Sequence, residues 1–161
     1  MIYTIGYDHM TTMDLLAAMA ALQVERLIDV RSIPHSRMRG WGNHQVRVAL
    51  GPKYHWAGAG LGGRGDGPTT AAVEALSKTP YATRVMLMCK EEAPGDCHRH
   101  HGIAVPLYQI HGVDCVHVFQ DHLILASELQ ASFDQHRDYE CESAPWAVDE
   151  EEDAEDAPLF S

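Results

Sequence analysis

The reactive side chains of this sequence gather between Leu87 and His101. An apolar run ends at Cys89, Lys90-Glu91-Glu92 follow, and Pro94-Gly95 marks a turn before Cys97-His98-Arg99-His100-His101 opens what reads as a helix. In an α/β protein this order places thiols, carboxylates, imidazoles and a guanidinium at the carboxyl end of a strand, where such sheets bind their ligands. A second apolar run ends at Asp29-Val30-Arg31, so another acid and base are expected at a neighbouring strand end.

Three chemistries compete for these residues. Cys89, Cys97, His98 and His101 have the ligand types of a zinc site. Against zinc stands the spacing: Cys-x7-Cys-His lacks the paired clips of structural zinc modules, and the chain between the cysteines would have to bend back. The second chemistry is thiol catalysis, with Cys97, beside His98 and a helix start, as the better activated thiol. Here Glu91, Glu92 and Asp96 count against it, because neighbouring carboxylates raise a thiol pKa and repel phosphate. The third divides acid and base between Asp29 and Glu91. Arg31, Arg37 and Arg99 would then grip an anion and His98 would move a proton near neutrality. The competing reading makes Asp29–Arg31 or Glu91–Arg99 a structural ion pair. No Walker loop, Gly-x-Ser-x-Gly or His-Glu-x-x-His decides among them. No cofactor is identified; zinc is the one that the ligand types allow.

Glycines at Gly62, Gly63 and Gly65 could let backbone amides approach a phosphate, without following the dinucleotide fingerprint. Trp41, Tyr54 and Trp56 stand among basic residues, as base-stacking aromatics do, although core packing accounts for such residues equally well.

Charge is unevenly spread. The net charge is −11, yet residues 138–161 hold ten acids and no Lys or Arg. Residues 26–64 instead carry seven bases and the single acid Asp29, an island able to attract phosphate or another anion. An anionic small molecule or nucleic acid is the expected partner, and the acidic tail, with Trp146, Leu159 and Phe160, is a candidate anchor for a protein partner.

Positioning these groups requires alternating strands and helices. Strands are expected at 2–6, 25–30, 53–56, 84–89 and 113–119. Helices are expected from Thr11, from an Asn43 cap to Leu50, from Thr69 or Thr70 to Ser77, from His98 to Ile110 with a break at Pro106, and over 123–133. The alternation predicts a three-layer, Rossmann-like α/β domain with a largely parallel sheet over residues 1–137. The acidic residues 138–161 are expected to be disordered. No apolar run reaches the roughly 18 residues of a membrane span. The amino terminus lacks signal-peptide features, and four cysteines without an export signal suit a reducing compartment. A cytoplasmic protein is expected.

Several segments together resemble the family known as domain of unknown function 488: Thr4-Ile5-Gly6-Tyr7, the run Leu27 to Arg37 with Asp29-Val30-Arg31-Ser32-Ile33-Pro34-His35-Ser36-Arg37, Leu61-Gly62-Gly63, and Met88-Cys89-Lys90-Glu91 followed by Cys97-His98-Arg99. The resemblance implies a Rossmann-like domain and one site built from Asp29, Arg31, Ser36, Arg37, Glu91, Cys97, His98 and Arg99, with no established reaction. The polar motifs converging at strand ends and the basic island predict an enzyme acting on a nucleotide or nucleic-acid base. The alternative is a non-catalytic nucleic-acid-binding or adaptor module.

Overall fold

The computed structural model describes residues 1–142, with side chains described as far as residue 136. The expected α/β architecture holds. Strands β1 (Ile2–Gly6), β2 (Arg26–Asp29), β3 (Tyr54–Trp56), β4 (Val85–Cys89), β5 (Cys115–Val118) and β6 (Leu123–Leu125) form one sheet in the order β3-β2-β4-β1-β5-β6. All neighbours pair in parallel except β6, which runs antiparallel to β5. The sequence Val-Met-Leu-Met-Cys of β4 is buried throughout, as an uninterrupted apolar run must be when helices cover both faces of its sheet.

Strand alternation divides the core in two. Met86 and Met88 join Tyr3, Ile5 and Leu27 under helices α1 (Thr12–Ala21) and α2 (Asn43–Leu50), which contribute Leu15, Met19, Val46 and Leu50. Val85, Leu87 and Cys89 face the other way, towards α3 (Gly58–Leu61), α4 (Thr70–Ser77), α5 (Val105–His111) and Ala126 at the start of α6 (Ala126–Glu142). The chain thus leaves β1 and β2 for one face and β4 for the other. Loops that part in this way open a crevice at the carboxyl edge of the sheet.

Local signals account for most boundaries. Thr11 and Asp14 close a reciprocal capping box at the start of α1, and the Thr69 side chain caps α4. The expected single helix from His98 divides into a π-helical turn, Arg99–Ala104, and α5. Pro106 sits in the first turn of α5, where a missing N–H does little harm.

Four expectations are corrected. Gly42, not Asn43, holds the N-cap of α2, and no side chain bonds to that end. Leu123–Leu125, read as helix, pairs with Val116–Val118 instead, since β5 would otherwise leave one edge open. The closing helix, expected over 123–133, instead spans Ala126–Glu142 as α6. The short helix α3 was not anticipated. The rest of the acidic tail, residues 143–161, lies outside the described residues, and with it the expectations of disorder and of a partner anchor there. Among the described residues no helix is long and apolar enough to cross a membrane.

Candidate active site at the carboxyl edge of the sheet

Register brings the two strand ends of the motif together. Gly6 pairs with Cys89 and Asp29 with Met88, and the pairing runs on into the loops, where Tyr7 N–H donates to the Cys89 carbonyl and Asp8 N–H to that of Lys90. Gly6 is obligatory here: a Cβ would lie 1.8 Å from the Glu91 carbonyl oxygen.

Asp29 and Arg31 form a closed unit. Asp29 is fully buried and accepts from Arg31 Nε at 2.8 Å, Arg31 Nη2 at 2.6 Å and the Tyr54 hydroxyl at 2.7 Å. Arg31 Nη1 donates to the Tyr7 hydroxyl and to the Trp41 carbonyl, while the Tyr7 ring stacks on Trp41 with centroids 4.2 Å apart. Burial works against the Arg31 charge, but the Asp29 carboxylate outweighs it and holds the pKa above its ordinary value. Burial and the same carboxylate raise the Tyr54 phenol. With both Asp29 oxygens engaged and Arg31 all but buried, this pair builds the wall behind the loops, as the ion-pair reading has it.

Arg99 is equally committed. It is buried and donates through Nη1 and Nη2 to the carbonyls of Glu91 and Glu92. Of the three arginines expected to grip an anion, then, two hold backbone and carboxylate inside the protein. Arg37 is exposed on the loop after β2 and lies outside the cleft lining, and the Ser36 hydroxyl accepts from Met38 N–H at 3.1 Å. Gly62 N–H donates to the Gly58 carbonyl, and a Cβ on Gly62 or Gly63 would meet Ser32 or the His98 ring at 2.5 Å. Close packing, rather than an amide cradle, explains these two glycines.

The remaining groups converge. The loop after β4 bends back through a 3-10 turn, Pro94–Asp96, held from behind by Arg99. Cys97 thereby returns to Cys89. Both thiols donate to Glu91 Oε2 at 3.2 Å, and His98 Nδ1 lies 3.9 Å from Cys89 Sγ and 3.8 Å from Cys97 Sγ. His98 Nε2 is 3.1 Å from the Val30 carbonyl. That carbonyl can only accept, so Nε2 carries a hydrogen and Nδ1 faces the sulfurs. Cys89, Glu91, Cys97 and His98 line a cleft of about 380 Å³ with Tyr7, Arg31, Ser32, Ile33, His35, Gly63, Arg64, Lys90 and Asp96.

The electrostatics of this cluster are coupled. The two sulfurs titrate together: the neighbouring Cys89 side chain lowers the Cys97 pKa, and His98 and Arg99 lower it further against the cost of burial. The same contact, with burial and Glu91, raises Cys89. Burial would raise Glu91, but its own backbone amide, the two thiols and Arg99 hold it below the ordinary carboxylate range. Burial also works against charge on His98, yet Cys97, the Val30 carbonyl and Glu91 raise it on balance. A thiolate, an imidazole and a carboxylate in one cleft can bind a soft cation or exchange protons with a bound substrate.

Only part of the sequence-level zinc set assembles. Donor atoms of Cys89, Cys97 and His98 all lie within 4.8 Å of one another. His101 points away, with Nε2 2.6 Å from the Gly95 carbonyl. A second groove of about 500 Å³ between α1 and the ends of β1 and β5 offers Asp8, Asp14 and Glu92 but no thiol or imidazole. Residue chemistry missed Tyr54 and Trp41 as partners of Asp29 and Arg31, and Arg64 and Lys90 as the accessible cations of the cleft. The lone signal for the last two was the basic island and the charge run after β4. Compared with models of known protein families, with characterised proteins and with solved structures, the chain matches none.

Proposed function

We propose that this chain is an enzyme acting on a nucleotide or nucleic-acid base, with Glu91, Cys97 and His98 as its working groups. The convergence of one carboxylate on two thiols and an oriented imidazole, at the crevice where the sheet's loops part, carries the reading. Arg64 is exposed at the cleft, and Lys90 is half-exposed there with its Nζ 3.7 Å from Asp8, so an anionic substrate meets one open cation and one held by a solvated pair. Glu91 and His98 offer two proton-exchanging groups of opposite preference in one space, the arrangement that lets a site act as acid and base. The motifs resembling the domain of unknown function 488 family supply the same residues. In this reading Asp29, Arg31 and Arg99 position the site, and of the three only Arg31 lines the cleft. Turnover of a panel of nucleotides, nucleosides and free bases, followed by mass change, tests it. Glu91→Gln should lower any turnover found by at least about 100-fold with the fold intact, whereas unchanged turnover would remove Glu91 from the chemistry.

A non-catalytic nucleic-acid-binding module is the second reading, favoured by the exposure of Arg37, Arg39, Arg47, Lys53 and Arg64. Binding by such a module would weaken steeply with salt, with a log–log slope of about −0.7 to −0.9 per phosphate contact.

A further inference from the structure

We propose that Cys89, Cys97 and His98 bind one zinc-type divalent cation, with the fourth coordination position open to the cleft and Glu91 beside it. The inference deepens the reading above and depends on it only for the substrate; with the ion bound, Cys97 and His98 serve as its ligands and Glu91 is the group left to exchange protons.

The sequence argument against a metal was the spacing, and the fold removes it. Two ligands sit at adjacent positions, Cys97 and His98, and the third returns to them because the 3-10 turn at Pro94–Asp96 reverses the chain while Arg99 pins the Glu91 and Glu92 carbonyls. A tetrahedral zinc with Zn–S of about 2.3 Å and Zn–N of about 2.0–2.1 Å spaces its sulfur and nitrogen ligands roughly 3.5 Å apart. The two sulfur–nitrogen separations here are 3.9 and 3.8 Å, and all three donor atoms lie within 4.8 Å of one another, so the sulfur–nitrogen pairs need close by only a few tenths of an ångström.

The surroundings are those of a ligand set rather than of two core thiols. His98 donates its far ring hydrogen to the Val30 carbonyl, the backing contact that metal-bound imidazoles carry and that orients the coordinating nitrogen. Gly63 packs so closely on the ring that a Cβ would come within 2.5 Å of its Cγ, which limits rotation. Both cysteines are buried, yet they line the cleft with His98, so an ion there would be shielded on three sides and reachable on one. Glu91 stands 3.2 Å from both sulfurs but is not among the three residues whose donors mutually approach. Three protein ligands and an open position define a catalytic rather than a structural zinc. Two thiolates, one imidazole and an unligated carboxylate are also the set by which zinc deaminases activate water against a nucleobase, which links the ion to the substrate class proposed above.

The full reduced chain, stripped of metal, is titrated with zinc and with cobalt(II) and its metal content and visible spectrum are read. Uptake of about one ion per chain, with sulfur-to-cobalt charge-transfer bands and tetrahedral ligand-field intensity, is expected. Cys89→Ser, Cys97→Ser and His98→Gln should each weaken uptake by at least about tenfold. Cys115→Ser, altering a thiol buried in β5 away from the cluster, should leave it unchanged. No uptake by the native chain, cobalt bound without thiolate bands, or uptake indifferent to Cys89 and Cys97 would overturn the proposal. Loss of the ion in Glu91→Gln would make the carboxylate a fourth ligand and overturn the open position. Metal bound without turnover leaves this inference standing and removes the enzymatic one; turnover by the metal-free chain does the reverse.

Discussion

The most reactive-looking residues of the sequence separate into two kinds once their partners are known. Asp29 and Arg31 satisfy each other and Tyr54, Tyr7 and the Trp41 backbone, all out of solvent. Removing one member of such a pair strands a buried charge, which costs about 3–5 kcal/mol. Asp29→Ala is therefore expected to lose stability on that scale in urea denaturation. A fully stable Asp29→Ala protein would contradict the structural role. His117 gives the second test at this scale. It bonds Thr4 Oγ1 at 2.6 Å and His100 at 2.9 Å inside the core, and burial first, then the neighbouring His100 and Arg99, push its pKa from 6.5 down to about 3. Between these values the unfolded chain binds a proton that the folded chain refuses, so stability rises with pH across the window and is complete above it. Lowering the pH from 7 to 5 should cost about 2 kcal/mol through this residue, at roughly 1.4 kcal/mol per unit. Urea curves at both pH values check it, and His117→Gln should show the smaller difference.

Elements, more than residue types, decide what the site can do, and this is where sequence reading reached its limit. β4 was legible because five consecutive buried residues need no partner to announce a central strand. The capping boxes and Pro106 were legible because their signals are local. The return of Cys97 to Cys89 was not, since it depends on Arg99 reaching back to two carbonyls, a contact that no spacing rule encodes. β6 was missed for the same reason: Leu123-Ile124-Leu125 is helical or extended according to whether β5 waits beside it. The glycine loop was read for its amides, whereas its use is absence of bulk. Gly63→Ala is expected to push the His98 ring out of place while costing only about 1–3 kcal/mol in stability. The check is the chemical shift of the His98 ring protons, which should move in Gly63→Ala. An unmoved His98 ring would deny the loop its positioning role.

Across the whole molecule, the sheet order and the parting of the loops bring one crevice together from every major motif of the sequence. Charge is divided as well: exposed cations stand at the cleft, in Arg64 and Lys90, and between residues 37 and 53, while residues 138–161 hold ten acids and no Lys or Arg. Resonance mapping of the labelled full chain against nucleoside monophosphates and free bases tests the central claim, that this crevice is where the chain meets its substrate. A binder in the panel is expected to perturb Gly63, Arg64, Cys89 to Glu91, Cys97 and His98 together, leaving the groove along α1 unmoved. Perturbation confined to the α1 groove or to the exposed basic loop, or no binder in either ligand class, would contradict it.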